Sequence, residues 1–324
     1  MLETLNRLLE KAMPIITPAS VVIGILLADY LNSYVFLVPW IFAFITFSGG
    51  LGSSFKSFRR VIAHPLPVLL AMFILHVLMP AWGFAVGHMA FSGDMFTITG
   101  LTLAVIIPTG ITSMIWVSIY KGNAALTLTI ILVDTFLSPF IVPYSISLLA
   151  GEQVTMDVWA MMKGLLGMVV IPSLLAMCLN ELTAGKIKEK IGKKLSPFSK
   201  LGLSIVVMIN SSVIAPYLSK IDSKLFYIAT IVLFVSASGY VISWLIGKLL
   251  KLERDEMVAL LFTGGMRNIS AGAVLAISYF PAPVAVPVII GMLFQQMLAS
   301  IFGHLLQKSY DKVEQNGMMA EKYN

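Results

Sequence analysis

Two residues of opposite charge stand deep inside apolar stretches of this sequence. Asp134 lies in the stretch 123–149, and Arg267 lies in Phe262-Thr-Gly-Gly-Met-Arg-Asn-Ile-Ser-Ala-Gly272. A charge at the centre of a bilayer costs roughly 2.5–3.5 kcal/mol on the insertion scale, so each needs a partner or a task. Each is the obvious counter-charge of the other. Two chemistries follow: a structural ion pair that fixes helix packing, or groups that line the path of a substrate or ion. Two helix-weakening motifs add to the second reading. Gly264-Gly265 precedes Arg267, and Pro108-Thr-Gly110 interrupts an earlier segment. A helix broken at membrane depth frees backbone N–H and C=O groups, which is tolerated only beside protein or a cavity. A half-helix starting near Asn268–Ser270 would aim its positive end at the break, and Arg267 adds a full charge there. That combination suits a carboxylate or another anion. Thr109, Thr112, Ser113, Thr263, Asn268 and Ser270 surround the two breaks with short polar groups, and Gly265 and Met266 supply backbone. Any one hydroxyl is as well explained by a bond to its own helix; the cluster carries the reading.

The elements that must position these residues are membrane helices. The chain has 324 residues, 58% hydrophobic and 12% charged, where soluble domains carry about 25% charged residues. Apolar stretches of 18 or more residues recur without period-2 alternation, which predicts an all-α polytopic protein and not a β-barrel. Ten spans are expected, at 13–31, 35–51, 65–87, 96–120, 123–149, 158–180, 201–219, 225–247, 256–280 and 283–306. Gly110, Asp134 and Arg267 then all lie roughly 16–21 Å from a span end, near one depth. The net charge of +6 reflects short basic loops, so nucleic acid is not an expected partner; the bilayer is.

Lys and Arg set the orientation. With the N terminus in the cytoplasm, the inside segments hold Arg7, Lys11, Lys56, Arg59, Arg60, Lys121, the run Lys186–Lys200, Lys248, Lys251, Arg254, Lys308, Lys312 and Lys322. The outside holds Lys163, Lys220 and Lys224. Both termini are therefore expected in the cytoplasm of a bacterial plasma-membrane protein. The basic loop 181–200 divides the chain into five spans (residues 1–150) and five more (151–180 and 201–324). An odd number per half makes the halves opposite in orientation, the layout of an inverted-repeat transporter. Spans 4 and 9 are fourth in their halves and carry the two breaks, which is where such transporters bind substrate.

Other residues carry less. His76 lies deep in span 3 and could titrate or relay a proton together with Asp134. His64, His88 and His304 fall at boundaries. Gln295 and Gln296 suit bonds between helices. The single cysteine, Cys178, excludes an intrachain disulfide and is expected to pack. No HExxH, Walker A loop or acid–base pair supports an enzyme, and Phe91-Ser-Gly-Asp94 lacks the first glycine of a GxGD motif. No cofactor or metal centre is expected.

The motifs taken together resemble the bile acid:sodium symporter family over nearly the whole chain. The landmarks are Phe55-Lys-Ser-Phe-Arg-Arg-Val-Ile-Ala-His-Pro65, Met79-Pro80, Pro108-Thr-Gly-Ile-Thr-Ser113, Tyr120-Lys-Gly-Asn-Ala-Ala-Leu126, Leu137-Ser-Pro139 with Pro143, and Gly265-Met-Arg-Asn268. The resemblance implies two crossing, unwound helices (spans 4 and 9), a core domain of spans 3–5 and 8–10, and a panel domain of spans 1, 2, 6 and 7. It also implies alternating access to organic anions. The departures are as informative. Where the family holds sodium with a Ser-Asn pair in span 4, this chain has Ser113-Met114. The family's span 5 hydroxyls are here Thr127 and Ile131. Its Glu-x-Gly-Met-Gln-Asn run in span 9 is Thr263-Gly-Gly-Met-Arg-Asn268, and its span 3 glutamine appears as Leu75, beside His76. Hard cations need several oxygens and favour negative charge, so the altered set speaks against sodium coupling of the family's kind.

The expected function is secondary-active or facilitative transport of a small organic anion, with Arg267 as a fixed cation and Asp134 as its counter-ion or proton site. Thr127, Ile131 and Asp134 share one face of span 5 at i, i+4, i+7. If Asp134 titrates, transport is proton-coupled; if not, it is facilitated diffusion. An adjacent arginine would hold the carboxylate ionised, against easy coupling. The alternatives are a non-transporting sensor or partner subunit locked by the Asp134–Arg267 pair, and a sodium-coupled symporter with altered ligands.

Overall fold

The structure, a computed structural model, describes residues 2–53, 65–150, 156–218 and 222–322. Lys56, Arg59, Arg60, His64 and Lys220 lie outside the described residues. Helix α1 (Leu2–Leu26) leads through α2 (Ala28–Leu31) to α3 (Val38–Gly50). Next come α4 (Pro65–Phe73), α5 (Met79–Ala90), α6 (Met95–Ile106), α7 (Ser113–Ile119) and α8 (Ala124–Ala150). The remainder are α9 (Val158–Leu165), α10 (Ile171–Leu182), α11 (Lys193–Leu218), α12 (Ser223–Leu249), α13 (Arg254–Gly265), α14 (Ile269–Tyr279) and α15 (Ala285–Lys322). No strand occurs among the described residues.

Among the described residues, eight helical stretches are long and apolar enough to cross a membrane. Two further apolar pieces, Ile15–Leu26 and Met95–Ile106, are shorter. The second is short because α6 stops at Pro108. Proline drives the residue before it out of the helical region, and Ile107 is accordingly extended, at φ −58° and ψ 147°.

Prolines also explain the irregular turns inside the spans. Pro80 has no N–H to give the carbonyl of His76. The ladder widens there into a π turn, Ile74–Leu78, and Met79 donates five residues back to Ile74. The same happens ahead of Pro172, where Ile171 donates to Leu166. Pro139 leaves the carbonyl of Thr135 without a backbone donor, and the Ser138 hydroxyl bonds it instead at 2.8 Å. The Ser-Pro landmark is thus a self-satisfied proline in a membrane helix.

The interrupted helices lie inside the bundle. For Arg254–Tyr279, 78% of the apolar window is buried, against 17% for Ala28–Gly50. Every residue of α6 from Thr97 to Ile106 is buried. Around them, α6 packs on α5, α8 and α15, and α13 on α7, α8 and α12. Helix α1 runs along α11, and α3 lies against α10 and α11. Cys178 is exposed on α10, not packed as its sequence context suggested: it falls on the helix face turned away from the buried Ala176, Met177 and Asn180.

Candidate transport site

The site forms where the two interrupted helices are open. Between α6 and α7 the chain Ile107–Thr112 is not helical, and between α13 and α14 neither is Met266–Asn268. The two breaks bond to each other. Asn268 N donates to Pro108 O at 2.7 Å, and Thr109 Oγ1 donates to Met266 O at 3.1 Å. The Asn268 side chain caps α14 through Ala271 N, a standard helix start. Gly264 and Gly265 are the last residues of α13 and not the break itself. Their role is close approach: a Cβ on Gly265 would lie 2.4 Å from the Tyr240 ring, and one on Gly264 would lie 2.1 Å from Ser243 Oγ.

Arg267 is 4% exposed and clamps both breaks. Its Nε donates to Val105 O at 2.8 Å, at the end of α6. Its Nη1 donates to Gly264 O at 2.8 Å and to Met266 O at 3.1 Å, at the end of α13. Its own N–H goes to Gln295 Oε1 on α15 at 3.1 Å. The carbonyl ends of two half-helices carry partial negative charge, and here a guanidinium fills the space they enclose. Nη2 has no hydrogen-bond partner and is buried. Beside Arg267 is a cavity of about 20 Å³, lined in part by Met79, Ser236, Tyr240, Gly265 and Gln295, with room for about one water molecule.

The Asp134–Arg267 ion pair expected from the sequence is not formed. Asp134 acts on Arg267 electrostatically without touching it. Its Oδ2 accepts the Thr109 amide at 2.5 Å, and its Oδ1 lies 2.8 Å from His76 Nε2. The reason is local. The helix breaks free carbonyls within reach of the guanidinium and an amide within reach of the carboxylate, so each charge is satisfied by backbone nearer than the other. Sequence inspection weighed only charged partners and missed the carbonyls of Val105 and Gly264.

The remaining site residues divide. Thr127, Ile131 and Asp134 are all buried on α8. Thr127 donates to Asn123 O, Thr263 to Ala259 O and Ser113 to Gly110 O, each a local bond. Thr112 and Ser270 are half-buried beside the two breaks. Gln296 accepts from Trp116 Nε1 at 3.0 Å, tying α7 to α15. Asn123 caps α8 through Leu126 N and donates from Nδ2 to Asp255 Oδ2 at 2.9 Å. The Gly-Asn-x-Ala-Leu landmark is therefore a latch between the starts of α8 and α13. Asp94 caps α6 and pairs with Lys224 at 2.8 Å.

An all-helical membrane protein with two interrupted helices joined at their breaks has the architecture of a secondary transporter. A profile described as the sodium bile acid symporter family matches residues 39–221, and the chain belongs to that family. Arg267 lies outside the matched stretch. The chain is similar to the uncharacterized protein YbaS of Bacillus subtilis, at 59% identity over 91% of this chain and 97% of the relative. It is similar, at 24% identity, to the uncharacterized sodium-dependent transporter YocS of the same organism, covering 86% and 88%. A probable sodium/metabolite cotransporter of rice chloroplasts, BASS1, is also 24% identical, over 79% of this chain and 61% of the relative. The chain is a membrane transporter of this family and not an enzyme.

Proposed function

We propose that this chain moves an organic anion by alternating access, with Arg267 as a fixed cation in place of a bound sodium ion. The observation that carries this reading is the guanidinium held by carbonyls of both helix breaks. Freed carbonyls and half-helix C-terminal ends are what coordinate sodium in transporters of this design. A tethered cation satisfies them without an ion from solution. The altered span 9 run adds support: Thr263 stands where the resemblance implies a carboxylate, and the nearby carboxylate, Asp134, is engaged by His76 and the Thr109 amide.

The architecture we propose is ten spans, counting the two shorter apolar pieces, in two inverted repeats of five. The first repeat covers residues 1–150; the second opens with span 6 (151–180) and, after the linker 181–200, continues through residues 201–324. Spans 3–5 and 8–10 form the core; spans 1, 2, 6 and 7 form the panel. The packing of α1 and α3 on α11 and of α6 and α13 on α8 supports that division. The protein sits in the plasma membrane with both termini in the cytoplasm. The substrate is a small organic anion that meets Arg267 through Nη2 and the polar groups of Thr109, Thr112, Ser113, Asn268 and Ser270. In the conformation described, the cavity beside Arg267 is too small for such a molecule, so substrate entry requires the core and panel to separate.

Counterflow of radiolabelled carboxylates in proteoliposomes tests transport, and a sensor would bind without exchange. The fixed-cation reading predicts melting temperatures within about 1 °C in sodium and potassium chloride, because an ion that does not bind does not stabilise. A strict sodium requirement for exchange overturns it in favour of a sodium symporter with altered ligands.

A further inference from the structure

A buried imidazole–carboxylate contact lies beside the guanidinium clamp. His76 and Asp134 approach to 2.8 Å with side chains 7% and 0% exposed. The contact is short but not aligned as a hydrogen bond, and His76 Nδ1 is buried without a partner. The π turn ahead of Pro80 carries His76; such turns recur at functional sites.

Neutral imidazole carries one N–H. If that hydrogen is on Nδ1, it has no acceptor, and Nε2 and Oδ1 meet at 2.8 Å with no proton between them. If it is on Nε2, Nδ1 is a buried acceptor with nothing to accept. In either arrangement the pair takes one more proton without any heavy atom moving.

The charges around it are few. Helices α4 and α6, which pack about this turn, and α8, which meets it at His76, carry between them one charged residue, Asp134. Helix α5 carries His88 near its far end. Helix α13 carries Arg254, Asp255 and Glu256 in its first turn, away from the break. Helix α12 contributes Lys224 and Lys248 near its ends and the buried Tyr240. Arg267 is the remaining charge. With His76 neutral, Arg267 and Asp134 sum to zero. One added proton makes the cluster +1, and a bound monoanion returns it to zero.

We propose that His76 and Asp134 form the coupling-proton site of this carrier, loading one proton with each monoanion; this rests on the reading of Arg267 as the fixed cation. The proton binds at Nδ1 or between Nε2 and Oδ1 and leaves with the substrate on the other side, so the cycle moves no net charge. Thr109 transmits occupancy to the helix breaks. Its amide donates to Asp134 and its hydroxyl to Met266 O. Bonds to an ionised acceptor are roughly twice as strong as neutral ones, so a proton shared onto Asp134 loosens Thr109 at the junction of the breaks.

The test uses the full chain in nanodiscs with ¹⁵N-labelled histidine. The sequence has 4 histidines, so the ring spectrum is sparse, and His76→Gln (or His76→Asn, should the first not fold) identifies the signal. The expected result is a His76 ring that changes protonation state within the pH range over which the protein stays folded, with that change displaced in Asp134→Asn or Asp134→Glu and His88 unaffected. A His76 ring that keeps one state throughout overturns the proposal. So does a titration unchanged by both Asp134 variants, which would make the contact simple packing. Melting in sodium against potassium chloride reads the other claim separately: a sodium-dependent rise overturns the fixed cation, whatever the histidine does.

Discussion

The amide of Asn268 donates to the carbonyl of Pro108 at 2.7 Å, so the two interrupted helices are joined backbone to backbone at their open residues. Asn268 has a second role, as side-chain cap of α14. The two separate by mutation. Asn268→Ala keeps the backbone bond and loses the cap, which costs about 1 kcal/mol. A fall of about 1–2 °C in melting temperature is expected for a chain of this size. Asn268→Asp and Asn268→Ser retain most of the stability, because both side chains cap. Equal losses in all three would show that the cap does not matter here.

Gly265→Ala places a methyl carbon 2.4 Å from the Tyr240 ring. The ring is fully buried and stacked on Phe302 at 4.8 Å between centroids, so it has little room to yield. A loss of about 1–3 kcal/mol or more is expected from overpacking. Gly167→Ala is the control: nothing lies within 4 Å of its Cβ, and its melting temperature should match or slightly exceed that of the native chain.

Asp94 provides a pH prediction. Burial pushes its carboxyl up, but bonds from Lys224 and Thr97 outweigh burial and hold it below its ordinary value of 3.8. A depressed folded value means that the stabilisation is present above 3.8 and is lost as pH falls through the folded value. Melting temperature of the native chain should therefore drop more steeply below about pH 4 than that of Asp94→Asn. Parallel curves would mean that the pair with Lys224 contributes nothing.

Orientation is open to chemical labelling. The ten-span reading puts residue 94 outside and residue 193 inside. In a Cys178→Ala background, an impermeant maleimide added to intact cells should modify a cysteine at position 94 and spare one at position 193. The reverse pattern would invert the topology, and labelling at both would undo the span count.

The breaks were legible because proline and paired glycines leave marks that a sequence shows. Even so, the roles were shared differently than the letters suggest: Pro108 stops α6, whereas Gly264 and Gly265 let α12 approach. The partners of the charges were not legible. A side chain search finds Asp134 for Arg267, yet the guanidinium bonds carbonyls whose directions depend on where each helix ends. His76 was legible as a titratable group at depth, but its contact with Asp134 depends on the π turn and on the packing of α4 against α8. Hydroxyls such as Thr127 and Thr263 are buried inside the bundle, where they bond their own helices. The count of spans was ambiguous at α1 and α6, whose apolar lengths fall short of a full crossing.

The guanidinium clamp also has an electrical consequence. Sodium that enters with a substrate and leaves with it adds its charge to the current and its gradient to the driving force. Arg267 is covalently part of the chain, so it returns with every empty cycle and draws no work from any concentration difference. Asp134 is carried by the same core, so the two opposite charges shift together and the empty return step moves no net charge through the membrane field.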